Sequence, residues 1–168
     1  IGEEIHLFYQ YYPYDSIWGP MHWGHAVTRN CISWQYLPVA LAPDQKYDEK
    51  GCFSGTAILN QEKLLLMYTG GMTEGEQDVQ QQCIATSTDY RTFQKVKSNP
   101  IISNKNLEKV CNICDGLIIT GSCIDIPPHY YNQNPVPNKN YDIDEFKLDK
   151  EAIKLFSNAN KPILGICG

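Results

Sequence analysis

The sequence predicts a mixed fold: an all-β piece over residues 1–100, then an α/β piece over residues 101–168. Three observations carry this. Fourteen of the nineteen aromatic residues, with all three tryptophans, lie in residues 1–100. Short alternating apolar runs bounded by turn residues fill that piece, and no helical periodicity interrupts them. The second piece runs apolar stretch, polar loop, helical stripe, apolar stretch, the order expected of parallel strands joined by a crossover helix.

Strands in the first piece are expected at residues 5–9, 25–28, 52–58, 64–69 and 82–86. The turn signals between them are Trp18-Gly-Pro20, Asp48-Glu-Lys-Gly51, Asn60-Gln61 and Thr69-Gly-Gly71. Short strands so spaced suit a sandwich, barrel or propeller. In the second piece, residues 115–120 form a continuous apolar run closed by Gly121, as a buried parallel strand would be. A polar loop with prolines follows. Asp142-x-x-Glu145 has the form of a capping box. Apolar residues then recur at Ile143, Phe146, Ile153 and Phe156, with Leu148, Ala152, Leu155 and Ala159 beside them, which predicts an amphipathic helix. Lys161-Pro162 ends that helix, and residues 163–167 begin another strand.

Composition narrows the function. A chain of 168 residues is about one domain, or two very small ones. Lys and Arg number 14 against 19 Asp and Glu, a net charge of −5, so a basic face for nucleic acid is not expected. No apolar run approaches the roughly 18 residues of a membrane span. Ile1-Gly2-Glu3-Glu4 has neither an initiator Met nor an apolar signal region, so no signal peptide is expected and the natural N-terminus is expected upstream. Seven cysteines are too few for a disulfide scaffold and odd in number, so free thiols in a cytoplasmic protein are expected. Cys111-Asn-Ile-Cys114 has no second cysteine pair at zinc-ribbon distance, and His22-Trp-Gly-His25 has no further ligands. No metal and no cofactor is expected.

Several motifs of the first piece occur together. They are His6-Leu-Phe-Tyr-Gln-Tyr-Tyr-Pro13, Trp18-Gly-Pro-Met-His-Trp-Gly-His-Ala-Val27, Trp34-x-x-Leu-Pro-Val-Ala-Leu41 and Tyr47-Asp-x-x-Gly-Cys-Phe-Ser-Gly55. Tyr68-Thr-Gly70, Gln82-Cys-Ile-Ala-x-Ser87, Phe93-x-Lys95 and Asn99-Pro100 follow in order. This set resembles the β-fructosidases of glycoside hydrolase family 32 over residues 3–100. The resemblance implies part of a five-bladed β-propeller that hydrolyses terminal β-fructosyl bonds of sucrose, sucrose phosphate or fructans. It implies sugar contacts at Gln10, Trp18, Phe53 and Ser54. Gln10 and Ser54 offer donors and acceptors to hydroxyls, and the two rings offer flat walls to a sugar's C–H face. On residue type alone, Trp18 and Phe53 read as core aromatics. Trp23 and Trp34 read as core, and His22, His25 and Asp48 as structural. Retaining glycosidases need two carboxylates flanking the bond. The family's catalytic carboxylates sit in motifs that residues 1–168 do not contain, and no other Asp or Glu here replaces them.

The second piece carries Cys114-Asp-Gly-Leu-Ile-Ile-Thr-Gly-Ser122, Asp125-Ile-x-Pro128 with Tyr131, Asp144-x-Phe146 and Lys161-Pro-Ile-Leu-Gly-Ile-Cys-Gly168. Together these resemble class I glutamine amidotransferase-like hydrolases of the γ-glutamyl-γ-aminobutyrate hydrolase type, over residues 104–168. The resemblance implies part of a flavodoxin-like α/β domain with Cys167 as nucleophile and Gly121 and Ser122 at an oxyanion hole. The family's His and Glu partners have no counterpart in residues 1–168. Three readings stand: a β-fructofuranosidase fragment, a γ-glutamyl amide hydrolase fragment acting through Cys167, and a non-catalytic sugar-binding remnant in a chimeric or truncated product. The expected ligands are a fructoside and a γ-glutamyl compound, with no nucleic acid and no membrane. The chain by itself is expected to turn over neither substrate.

Overall fold

The computed structural model describes residues 1–103, 105–119, 128–134, 136–137 and 143–165. They divide into two compact units, Ile1–Ser103 and Asn104–Gly168.

The first unit is two antiparallel sheets. Strands β1 (Ile5–Tyr11), β2 (His22–Thr28) and β3 (Gln35–Leu41) form one, in the order β1-β2-β3. Strands β4 (Gly51–Asn60), β5 (Lys63–Glu74), β6 (Gln77–Ser87) and the two-residue β7 (Gln94–Lys95) form the other, also in sequence order. Strand β3 had no strand signal of its own because Pro38 interrupts its run. Proline is confined to positions where its missing N–H is not needed, and β3 is an edge strand.

Alternation builds the core. Along β5, Leu64, Leu66 and Tyr68 are buried while Leu65, Met67 and Thr69 are half-buried. Cys83 and Ala85 of β6, Cys52 of β4, and Trp23, Ala40 and Leu41 of the first sheet complete the cluster. Thr69-Gly-Gly71 is not a turn, contrary to expectation. It lies inside β5, and the chain reverses later, at Gly75-Glu76 between β5 and β6. Gly75 takes the left-handed conformation there, with φ +66. The two strand glycines serve close approach instead. A Cβ on Gly70 would lie 2.7 Å from the Tyr47 carbonyl oxygen, and one on Gly71 would strike the Phe53 ring.

Two polar clusters are buried in this unit. The Asp48 carboxylate, fully buried on a 3-10 turn (Lys46–Asp48), accepts from Tyr68 Oη at 2.7 Å, from Lys95 Nζ at 2.5 Å and from the Gln45 N–H at 2.9 Å. Lys95 also donates to Asp44 Oδ1 at 2.6 Å. Burial alone would lower the Lys95 pKa, but the two carboxylates outweigh it and raise the pKa above its ordinary value. Burial, reinforced by Asp48, raises the Tyr68 phenol, which stays a donor. The second cluster joins His6 Nδ1 and His25 Nε2 at 3.0 Å, with the Phe8 ring stacked on His25 at 4.5 Å between centroids.

The second unit contains helix α1 (Leu107–Ile113), strand β8 (Leu117–Ile119), a 3-10 turn (Pro128–Tyr131), helix α2 (Ile143–Asn158) and strand β9 (Ile163–Gly165). β8 and β9 pair in parallel, Leu117 opposite Ile163, as the sequence grammar anticipates. Among the described residues no larger sheet of the flavodoxin type is present. Helix α1 contains Cys111 and ends just before Cys114, and seven residues hold no strong periodicity to announce it. Among the described side chains of α2 the buried ones are Ala152 and Phe156, four apart, with Leu148 half-buried one turn before them. Ile153, expected on the apolar face, is 43% exposed. The Leu148–Ala152–Phe156 row therefore faces inward and Ile153 stands beside it. Lys161 Nζ donates to the carbonyls of Cys111 at 2.6 Å and Cys114 at 2.7 Å, closing the C-terminal end of α1. The Asp142 cap lies outside the described residues.

Candidate functional site

Strands β1 and β4 are each the edge of their sheet, and a cavity of about 400 Å³ opens between them. His6, Phe8 and Gln10 line one wall, Ser54 to Ala57 the other, and Trp23 of β2 sits between. Antiparallel pairing explains the first wall. Gln10 lies directly opposite Trp23, and Phe8 opposite His25, so the four side chains share one face of the sheet.

The second wall depends on a bulge. Register between β4 and β5 shifts between Phe53 and Gly55, with Phe53 opposite Thr69 and Gly55 opposite Tyr68. Such a bulge leaves one residue unpaired and re-aims its side chain. Ser54 is that residue, and it is exposed at the cavity. Glycine is needed next: a Cβ on residue 55 would run into the backbone of Met67. Phe53, one residue before, is half-buried against Gly71 and Gly51, which face each other across β4 and β5.

Trp18, in the connection between β1 and β2, stacks on Phe53 with centroids 6.1 Å apart and planes 17° from parallel. It is 74% exposed, which excludes the reading of Trp18 as a core aromatic. The four residues expected at the sugar thus fall into two pairs. Gln10 and Ser54 line the cavity, while Trp18 and Phe53 stack. The pairs are tied together by chain adjacency at 53–54 and by Gln10 Nε2, which donates to the Cys52 carbonyl at 3.2 Å.

Among the described residues, the lining of this cavity contains neither Asp nor Glu. Its titratable members are His6, whose pKa is lowered first by burial and then by Arg91 and the N-terminus, and Tyr9, whose phenol is raised by burial. The chemistry available is hydrogen bonding to hydroxyls beside apolar surface, with no paired carboxylates for acid–base work. Trp23 is more than the core residue its motif suggests. It is 5% exposed, lines the cavity, and donates its indole N–H to the Phe53 carbonyl at 2.9 Å. Its position opposite Gln10 was the available signal, but it needed the register of β1 and β2. Trp34 borders a different concavity, beside Arg29 and Gln35.

Of the thiol site, Cys167, Gly121 and Ser122 lie outside the described residues. The Cys111/Cys114 pair is unbridged, Cys111 buried and Cys114 half-buried. Among the described residues no group of three or more His, Cys, Asp or Glu is placed to hold a metal ion. No described helix is long and apolar enough to cross a membrane.

Comparison with known proteins gives two family matches. The glycosyl hydrolases family 32 N-terminal domain matches residues 1–116, and peptidase C26 matches residues 69–168. The sucrose-6-phosphate hydrolase of Zymomonas mobilis subsp. mobilis (strain ATCC 31821 / ZM4 / CP4) is 51% identical over 96 residues, which are 55% of this chain and 19% of that protein. The levanase of Bacillus subtilis (strain 168) is 46% identical over 110 residues, 60% of this chain and 16% of the levanase. Among solved structures, the Bombyx mori GH32 beta-fructofuranosidase superposes with a TM-score of 0.55 at 45% identity, over 60% of this chain and 21% of that one. A mutant of the same silkworm enzyme is in complex with sucrose. The chain therefore spans about a fifth of the length of the relatives it matches. With its matched strands standing in the order just described, the chain belongs to glycosyl hydrolases family 32, whose N-terminal domain is a β-propeller, through residues 1–116, and to peptidase C26 through residues 69–168.

Proposed function

We propose that residues 1–100 are the fructosyl-binding portion of a five-bladed β-propeller of the β-fructofuranosidase type, acting on sucrose, sucrose phosphate or a fructan. In this reading Gln10 and Ser54 hydrogen-bond the hydroxyls of a terminal fructosyl unit, and Trp18 and Phe53 cover its apolar face. The observation that carries it is the stack of an exposed Trp18 on Phe53 beside the Gln10–Ser54 cavity. At 74% exposure most of the Trp18 ring is left open to a ligand, and a flat aromatic wall suits a sugar.

Equilibrium dialysis of the full chain against radiolabelled fructose tests this reading. Saturable binding is expected, weakened on the order of tenfold in Trp18→Ala, where truncating a solvent-exposed side chain leaves the fold intact. Equal binding by Trp18→Ala and the parent chain would reject the site.

For residues 101–168 the peptidase C26 match and the parallel β8/β9 pair support a second reading. This piece is a portion of a glutamine amidotransferase-like γ-glutamyl hydrolase, with Cys167 as the nucleophile and Gly121 and Ser122 donating to an oxyanion. A glutamine-like chloroketone should then alkylate Cys167 before the other six cysteines. Indiscriminate labelling would count against it.

A further inference from the structure

We propose that Trp23 is the positioning residue of the cavity: its indole N–H holds the Phe53 peptide, and through it fixes where the Phe53 ring and the Ser54 hydroxyl stand. The proposal rests on the fructosyl-binding reading for its functional meaning, but its geometry stands apart from any sugar.

Strand β4 is an edge strand, so its outward backbone groups have no partner strand of their own sheet. At residues 52 and 53 the first sheet, and Met21 just before its strand β2, supply partners one by one. The Cys52 N–H donates to the Met21 carbonyl at 2.8 Å, the Cys52 carbonyl accepts from Gln10 Nε2 at 3.2 Å, and the Phe53 carbonyl accepts from Trp23 Nε1 at 2.9 Å. Beyond residue 53 every residue of β4 is exposed. The Trp23 bond is therefore the last of these three tethers before the bulge that carries Ser54. A bulge is where backbone is least constrained by ladder pairing, so the group bonded next to it sets its geometry.

Trp23 is suited to the task because it is itself fixed. Its ring meets Phe8 at 6.0 Å and Tyr68 edge-on at 6.5 Å, and Tyr68 is anchored to Asp48. An indole N–H is a donor only, so a buried Trp23 whose acceptor moved would be left with an unsatisfied group. That cost keeps the Phe53 carbonyl in place.

The test removes the N–H and keeps the ring. In the full chain, Trp23 is replaced with 3-benzothienylalanine, which puts sulfur where the indole N–H stood, and independently by Trp23→Phe. Proton NMR follows two things: cross-relaxation between the Trp18 and Phe53 rings, and the shifts of the Tyr68 and Leu66 core. A fructose titration is run on the same samples. The expected result is disappearance of the Trp18–Phe53 cross-peak in both variants, with the core resonances unmoved in the benzothienyl variant and still dispersed as in a folded core in Trp23→Phe, and fructose affinity reduced five- to tenfold. Disappearance of that cross-peak, together with a parent chain that binds no fructose, would uphold the positioning role and reject the sugar reading. An unchanged Trp18–Phe53 cross-peak in the benzothienyl variant would overturn the proposal. So would a collapse of the core together with the ring stack, which would make Trp23 a packing residue only.

Discussion

The two units hold themselves together by different means. In Ile1–Ser103 strands β2 and β3 of one sheet and β4, β5 and β6 of the other bury a shared aliphatic and aromatic cluster, and polar groups are buried with it. Asp48 and His25 are both fully buried. In Asn104–Gly168 the buried apolar side chains, among the described residues, come mainly from the two helices, Leu107 and Cys111 of α1 and Ala152 and Phe156 of α2, with Pro128 of the 3-10 turn also buried. Its strands are mostly exposed, with Ile118 at 63% and Leu164 at 56%. The first unit thus depends on polar groups held inside a packed sheet interior. The second depends on helix packing and one lysine cap. Substitutions that discriminate between these two kinds of stability either break or sharpen the contrast.

The largest effect belongs to Lys95. Lys95→Ala strands the Asp48 carboxylate in a fully buried position, and removing one partner of a buried pair costs about 3–5 kcal/mol. Chemical denaturation should show the first unit's transition falling by that amount. A change under about 1 kcal/mol would mean that the pair is wet, as exposed pairs are. Phe156→Ala is the counterpart in the second unit. It removes a side chain that is only 2% exposed and should cost about 3–4 kcal/mol, read as a drop in helical circular dichroism at lower denaturant.

A smaller effect distinguishes the first unit by pH. Burial is the main reason that the His25 pKa falls from 6.5 to about 4, helped by His6 and Arg91. The unfolded chain, with an ordinary histidine, binds the proton more readily. Stability from this group is therefore whole above about pH 6.5 and is lost as pH falls toward 4, by about 2–3 kcal/mol in all. Between pH 7 and pH 4.5 thermal melts of the parent chain should fall more steeply than those of His25→Phe, which lacks the titrating ring. Parallel curves would show that His25 does not titrate in the fold. Smallest is Lys161→Ala, which removes the hydrogen bonds to the carbonyls at the end of α1 and should cost about 1–2 kcal/mol, detected as faster amide exchange in residues 107–113.

The strand pattern of the first unit was legible because half-buried strands write their alternation into the chain, as in Leu64, Leu66 and Tyr68. Two kinds of feature were not. Gly70 and Gly71 look like a turn in sequence, since local chemistry does not distinguish a glycine needed for φ from one needed for close approach. The bulge at Phe53 and Ser54 is likewise a matter of register with β5, invisible until partners are known. For the site, the resemblance supplied Gln10, Trp18, Phe53 and Ser54. It did not supply Trp23, whose role is a hydrogen bond thirty residues away along the chain. In helix α2 the stripe was legible, but which of its apolar residues turn inward depended on the neighbour the helix met.

The proposed sugar site lies where Trp18 stacks on Phe53 beside the Gln10–Ser54 cavity. The three tryptophans make a direct test, since each gives its own indole N–H resonance and Trp34 lies in a different concavity. In a fructose titration of the full chain, the Trp18 and Trp23 indole signals are predicted to shift together along one saturable curve while that of Trp34 stays fixed. A titration that moves all three alike, or none, would contradict the account.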